Sequence, residues 1–327
     1  MSVTSQAIPQ PTSSFLIWWK TIRPATLWAG AAPVLVGSAL AYRHQKFEWL
    51  PSIVALLGAL FIQIACNLVN DYSDFEKGAD HAGRLGPARA AAQGWLDVQS
   101  IKRGAYICLA FAVLSGVYLV QIAGLPILYL GIASLLSAVA YTAGPWPLAY
   151  LGLGDLFVML FFGFGAVAGT YYVQALQWHP LLWFCGWSVG AIATCILVVN
   201  NLRDRESDTQ ANKKTLAVRF GANFVRWEYT LLMLSAFVAL CLASYYESQM
   251  LTESAHVGKV NPHINPLNTI ASSMSFVWYI PLGLLPLAGM RTYKVWRLSA
   301  QDLNPLLGQT AQLELLFCLL LSLALVY

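Results

Sequence analysis

Charge is missing from long stretches of this chain, and those stretches recur at the length of a membrane-spanning helix. Residues 24–42, 50–70, 229–246 and 272–290 are each one uncharged run. A bilayer span takes roughly 20 apolar residues, so each run predicts one helix. Residues 104–154 are uncharged throughout and predict two helices, divided near Gly124-Leu125-Pro126. Residues 156–202 predict two more, divided at Gln177-Trp178-His179-Pro180, and residues 305–327 hold a last span with one charge, Glu314. The expectation is an all-α polytopic membrane protein with nine transmembrane helices. Continuous apolar runs of this length suit helices rather than the alternating strands of a membrane barrel.

Lysine and arginine placement orients the bundle. With the N-terminus cytoplasmic, sixteen of the nineteen basic residues fall in inner segments, and only Arg43, Lys46 and Lys259 fall outside. Residues 1–17 read as a polar N-terminal tail and 18–327 as a single transmembrane domain. The tail lacks the basic start and apolar run of a signal peptide, so the first span is expected to stay as an anchor. Composition agrees with a membrane protein: 58% of the 327 residues are hydrophobic and 10% charged, against about 25% charged in a soluble domain. The mean hydropathy is +0.59. This balance argues against a soluble enzyme and excludes a disordered chain or a nucleic-acid binder. The six cysteines lie at wide spacing in apolar segments and read as buried packing; the five histidines fall in predicted loops without metal-ligand spacing.

Two inner loops break the apolar pattern. Asn67, Asp71 and Asp74 are related by i, i+4, i+7, and Asn200, Asp204 and Asp208 by i, i+4, i+8. Each set predicts one helix face at the inner end of an even-numbered span. Ionisable groups at membrane depth are costly and point to function. Like carboxylates one turn apart repel, and a cation between them removes that cost. Oxygen donors without His or Cys suit Mg²⁺, which takes one or two carboxylates and fills its shell with substrate phosphate and water. Basic residues accompany both stripes: Lys77, Arg84 and Arg89 the first, Arg203, Lys213 and Lys214 the second. They suit the remaining charge of a diphosphate. A prenyl diphosphate, with a lipid tail and a charged head, matches both the membrane and the stripes. Aromatic walls for the cation left when diphosphate departs are available among 12 Trp, 15 Tyr and 15 Phe.

With these residues in view, the pair Asn67-x3-Asp71-x2-Asp74 and Asn200-x3-Asp204-x3-Asp208 on a nine-helix frame resembles the UbiA-type intramembrane prenyltransferases. Four finer motifs are similar to the branch that prenylates 1,4-dihydroxy-2-naphthoate. They are Trp19-Lys20-Thr21-Ile22-Arg23-Pro24-x-Thr26-Leu27, Arg84-Leu85-Gly86-Pro87-Ala88-Arg89-x4-Gly94, Tyr141-Thr142-Ala143-Gly144-Pro145-x-Pro147 through Gly154-Asp155, and Lys213-x-Thr215 through Arg219-x-Gly221. Asn212 departs from the glycine often found before the matched lysine, and the segment at 247–270 and the last two helices carry little motif.

The resemblance implies a UbiA-type bundle in a bacterial cytoplasmic (inner) membrane, with its site on the cytoplasmic side. It implies transfer of a prenyl chain from a polyprenyl or phytyl diphosphate to 1,4-dihydroxy-2-naphthoate, with loss of diphosphate and CO2. The product is a demethylmenaquinone or demethylphylloquinone. It also implies roles. Asp71, Asp74, Asp204 and Asp208 would carry Mg²⁺, with Asp80 a further candidate that could equally be a loop carboxylate. Asn67 and Asn200 would orient the diphosphate, and Lys77, Arg84, Arg89 and Lys213 would bind it. Tyr141 could touch the acceptor or be an interfacial tyrosine. Arg23 could pair with the acceptor's carboxylate. Asp155 opens a helix, where a carboxylate also favours the helix dipole. Alternative acceptors are 4-hydroxybenzoate and homogentisate. A cation transporter is the alternative of another class, but it predicts carboxylates on broken helices near the midplane. An alcohol phosphotransferase would carry an Asp-Gly-x2-Ala-Arg signature that is absent.

Overall fold

The computed structural model describes residues 13–79, 85–256 and 275–327, and the regular structure among them is entirely helical. A short helix α1 (Ser14–Thr21) is capped by the Ser13 side chain, which accepts from the Leu16 N–H. Its exposed Phe15 and Trp19 suit a helix lying along the membrane surface. Arg23 then takes the left-handed conformation at φ 55°, and Pro24 opens α2 (Pro24–Arg43). The next helices are α3 (Trp49–Glu76) and α4 (Val98–Ala123), the latter capped by Asp97 on the Ser100 N–H. Gly124, at φ 69°, separates α4 from α5 (Leu125–Ala140), where the sequence placed the break. Helix α6 (Gly154–Ala175) contains a π-helical stretch over Met159–Gly165 and ends at left-handed Leu176. Then follow α7 (Leu181–Arg203), α8 (Arg205–Gln210) and α9 (Leu216–His256), kinked at Gly221. A 3₁₀ segment (Ser275–Leu284), α10 (Leu285–Arg297) and α11 (Asn304–Val326) complete the described chain.

Seven of these helices are long and apolar enough to cross a membrane. Two of the nine expected spans are shorter than their uncharged runs. The run at 104–154 ends in turns at Gly144, Pro145, Pro147 and Gly152, leaving 16 residues for α5. The run at 272–290 begins outside the described residues and continues as 3₁₀ helix containing Pro281 before α10. The cysteines also divide: Cys185, Cys195 and Cys318 are buried, Cys66 and Cys108 half-buried, and Cys241 faces outward.

The main core joins α2, α6, α7, α9 and α11 around Leu40, Tyr171, Ile192, Tyr229 and Phe317. Helices α3 and α4 pack on each other with the loop at 88–96 around Leu68, Trp95 and Ile101. Between the two groups lies a cavity of 1190 Å³. Val113, Val117 and Ile132 of α4 and α5 line it and are about half exposed. At one end of the bundle, Arg43 pairs with Glu247 through two bonds of 2.8 Å, and the Trp278 indole N–H donates to the same carboxylate at 2.5 Å. That clasp ties α2, α9 and the 3₁₀ segment together. The candidate site lies at the opposite end.

Helices α6 and α7 touch backbone to backbone. A Cβ at Gly163 would meet the Gly186 carbonyl oxygen and the Gly190 Cα at 2.7 Å, whereas Gly116 on α4 has nothing within 4 Å. Overpacking of this kind typically costs about 1–3 kcal/mol. Gly163→Ala is therefore expected to lower the thermal unfolding midpoint in detergent by several degrees, with Gly116→Ala unchanged; equal midpoints would refute the close packing.

Candidate active site

The C-terminal ends of α3, α5 and α7 meet the N-terminal ends of α2, α6 and α11 at one mouth of the cavity. Asn67 donates its amide N–H groups to the Ile22 carbonyl at 2.9 Å and to Thr26 Oγ1 at 2.8 Å. It thereby anchors the turn that carries Arg23. Asp71 is 1% exposed, and its two oxygens accept the backbone N–H groups of Ala90 (3.2 Å) and Ala91 (3.0 Å). The first stripe therefore holds the loop that follows it. Asp74 accepts the Tyr150 hydroxyl at 3.0 Å and faces Arg89 at 3.7 Å, with both ion-pair partners buried. Lys77 donates to the Thr142 carbonyl, and the Thr142 hydroxyl in turn donates to Asn70 Oδ1.

The second stripe is built differently from its sequence expectation. Helix α7 ends at Arg203, Asp204 is the junction, and α8 starts at Arg205, so the stripe spans two helices. The junction keeps helical spacing because the Asp204 N–H donates to the Asn200 carbonyl and the Asp208 N–H to the Asp204 carbonyl. Arg203 forks onto both oxygens of Asp204 at 2.7 and 2.6 Å and also donates to Asn200 Oδ1 at 2.7 Å. Asp208 is buried; Lys213 lies 3.5 Å from one of its oxygens, and the other oxygen, Oδ2, has no partner.

Tyr150 joins the stripes. Its hydroxyl is on Asp74, and its ring lies beneath Lys77 (4.7 Å) and Lys213 (5.7 Å), within cation–π range. Burial pushes the Asp208 carboxyl up to about 6; Lys213 opposes the rise, while the charges of Asp204 and Asp74 add to it. The carboxylates of the two stripes are thus within electrostatic reach of each other.

Arg23, Asn67, Asp74, Arg89, Tyr141, Asn200 and Lys213 line the cavity, as does Arg203. Asp71, Lys77, Asp204 and Asp208 do not line it; Asp204 and Asp208 are paired with the lining residues Arg203 and Lys213. Asp80 and Arg84 fall outside the described residues. Two contributors carry no local sequence signal. Asn304 accepts from Arg203 at 3.1 Å and donates to the Leu85 carbonyl at 2.8 Å, bridging the second stripe to the loop after the first. Tyr150 lies in the segment between Tyr141 and Asp155, where neither its type nor its spacing sets it apart. Glu314, the one charge of the last span, does not line the cavity; it is fully buried, and both its oxygens lack hydrogen-bond partners.

Among the described residues no three His, Cys, Asp or Glu side chains are gathered to cage a metal alone. Paired carboxylates with an unpartnered buried oxygen, beside a cavity edged with Arg and Lys, fit a hard ion that completes its shell from phosphate and water.

Residues 31–256 match the model of the UbiA prenyltransferase family. Over 320 residues the chain is 34% identical to a 1,4-dihydroxy-2-naphthoate octaprenyltransferase of Haemophilus influenzae, covering 94% of this chain and 95% of that protein. It is 37% identical to the Escherichia coli protein of the same name, covering 72% and 79%. In fold it is similar to a UbiA homolog from Archaeoglobus fulgidus bound to GPP and Mg²⁺, with a TM-score of 0.62, 14% identity, and 95% and 99% coverage.

The Asp208 carboxyl binds its proton more tightly folded than unfolded. Its unfavourable contribution is therefore fully present above pH 6 and fades as pH falls toward the ordinary value of 3.8. In metal-free protein, Asp208→Asn should raise the thermal midpoint at pH 7.5, and the gain should shrink progressively toward pH 4. A gain independent of pH would contradict the placement of this carboxyl.

Proposed function

Because the chain belongs to the UbiA prenyltransferase family, we propose that it transfers a prenyl chain from a polyprenyl or phytyl diphosphate to 1,4-dihydroxy-2-naphthoate, releasing diphosphate and CO2 in menaquinone or phylloquinone synthesis. The convergence of two acidic stripes at the mouth of one large apolar cavity carries this reading. A cavity of 1190 Å³ exceeds most small-molecule pockets and suits an aromatic acceptor together with a chain. The relatives named for this same reaction support the acceptor over 4-hydroxybenzoate or homogentisate. Nine helical rods count as nine spans if α5 and the 3₁₀–α10 segment cross as well. The basic residues then put the N-terminus and the site on the cytoplasmic face of the inner membrane.

Asp71, Asp74, Asp204 and Asp208 are the residues that would hold Mg²⁺, directly or through water, with Asp80 a further candidate. When bound, Mg²⁺ supplies positive charge to the departing diphosphate. Arg89 and Lys213, which line the cavity, are the leading candidates to bind the diphosphate, with Lys77 and Arg84 as further candidates. Asn200 and Asn67 hold the framework that aims them. Arg23 serves the carboxylate of the acceptor, and Tyr141 its ring. The apolar wall below Asp74 keeps water from the allylic cation, whose hydrolysis is the competing reaction.

Purified protein in detergent or lipid should form prenylated product from 1,4-dihydroxy-2-naphthoate and none from 4-hydroxybenzoate, with activity lost on chelation of Mg²⁺. Asp74→Asn and Asp204→Asn should each lower kcat by about 100-fold or more while expression stays normal. Near-normal turnover in both variants would remove the metal assignment, and product from the benzoate alone would change the acceptor.

A further inference from the structure

Asp155 is left unexplained by the diphosphate end of the site. It stands in the first turn of α6, where its charge also favours the helix dipole. It is 7% exposed, and its Oδ1 is buried without a partner. A buried polar atom without a partner is costly, and such atoms call for a specific account. The neighbouring residue supplies one. Gly154 lies against the phenol of Tyr141: a Cβ there would meet the Tyr141 hydroxyl oxygen at 2.9 Å. Tyr141 lines the cavity, and Asp155 is close enough for its charge to act on the Tyr141 phenol. The Asp155 charge also acts on Glu228 of α9 and Cys195 of α7, and Cys66, Asp74 and Asp208 also act on the Tyr141 phenol.

We infer that Tyr141 and Asp155 form a proton-holding pair for the acceptor, Tyr141 touching it and Asp155 acting through Tyr141. The inference rests on the prenyl-transfer reading above. The attacked ring carbon carries the carboxylate, and the 1-hydroxyl is its ortho neighbour. As that carbon's electron pair forms the new C–C bond to the prenyl chain, the 1-hydroxyl becomes a ketone and gives up its proton. Tyr141 takes that proton and passes its own to Asp155. The intermediate is a β-keto carboxylate. Its C–COO⁻ bond breaks, CO2 leaves, and the electron pair returns through the ring to the 1-oxygen. The proton goes back from Asp155 through Tyr141 to that oxygen. Atoms and charge balance with no net proton consumed, so the pair needs no exchange with bulk water during the cycle. Gly154 is required because any side chain would push the phenol away from the start of α6.

General acid–base groups contribute typically 10²–10⁴-fold. In Asp155→Asn, kcat with 1,4-dihydroxy-2-naphthoate is expected to fall about 100-fold, with the KM for geranylgeranyl diphosphate unchanged. Tyr141→Phe should fall similarly, and the double variant should be no worse than the poorer single one. Thermal stabilisation of Asp155→Asn by Mg²⁺ with geranylgeranyl diphosphate should match the unaltered protein, which establishes the fold and the donor half. The 1-methoxy analogue of the acceptor has no proton to give. Its residual rate should be equal in Asp155→Asn and in the unaltered protein. A wild-type kcat in Asp155→Asn, or a further large drop with the methoxy analogue, overturns the assignment. No product from the unaltered protein overturns the prenyl-transfer reading itself.

Discussion

Everything at the cavity mouth depends on keeping several carboxylates ionised where water is scarce. Charges in such surroundings survive only if paired or hydrogen-bonded. The chain meets that demand in a different way for each acid. Asp71 takes two backbone N–H groups, Asp74 a tyrosine hydroxyl and an arginine, and Asp204 a bidentate guanidinium from its own neighbour. Asp208 is the least satisfied, with one lysine and an unpartnered oxygen. The remaining architecture serves these pairings. The loop after α3 is folded back by Asp71, α11 is drawn in by Asn304, and the turn before α6 is held by Tyr150, whose carbonyl accepts the Lys214 N–H.

Much of this was legible in the sequence because membranes impose a simple rule: charge leaves and helices of fixed length remain. The breaks at Gly124 and at 177–180 fall where uncharged runs were too long for one helix. The first stripe was legible because α3 is continuous from Asn67 to Asp74. The second was legible in spacing but not in form, since no periodicity announces that a helix stops at Arg203 and restarts one residue later.

What the sequence hid were contacts made by distant segments. Asn304 lies 101 residues from Arg203 and 219 from Leu85, and only the packing of α11 brings it there. Asn67 and Asp71 looked like ligands by type. In the fold each also ties down backbone: the turn at Ile22 by Asn67, the loop at Ala90 by Asp71. Such double duty is invisible to motif spacing, which reports the face of a helix but not what approaches it.

The wall formed by α4 and α5 has a kinetic meaning. A hydrophobic donor dissolved in the bilayer would approach a cavity walled by these helices by diffusion in two dimensions. Its effective concentration is then a mole fraction of lipid, not a molarity. Diluting the membrane with inert phospholipid at constant bulk substrate would slow such a catalyst, much as dilution slows an enzyme in solution. Growth conditions that change the lipid-to-quinone ratio would therefore tune its flux without any regulatory site.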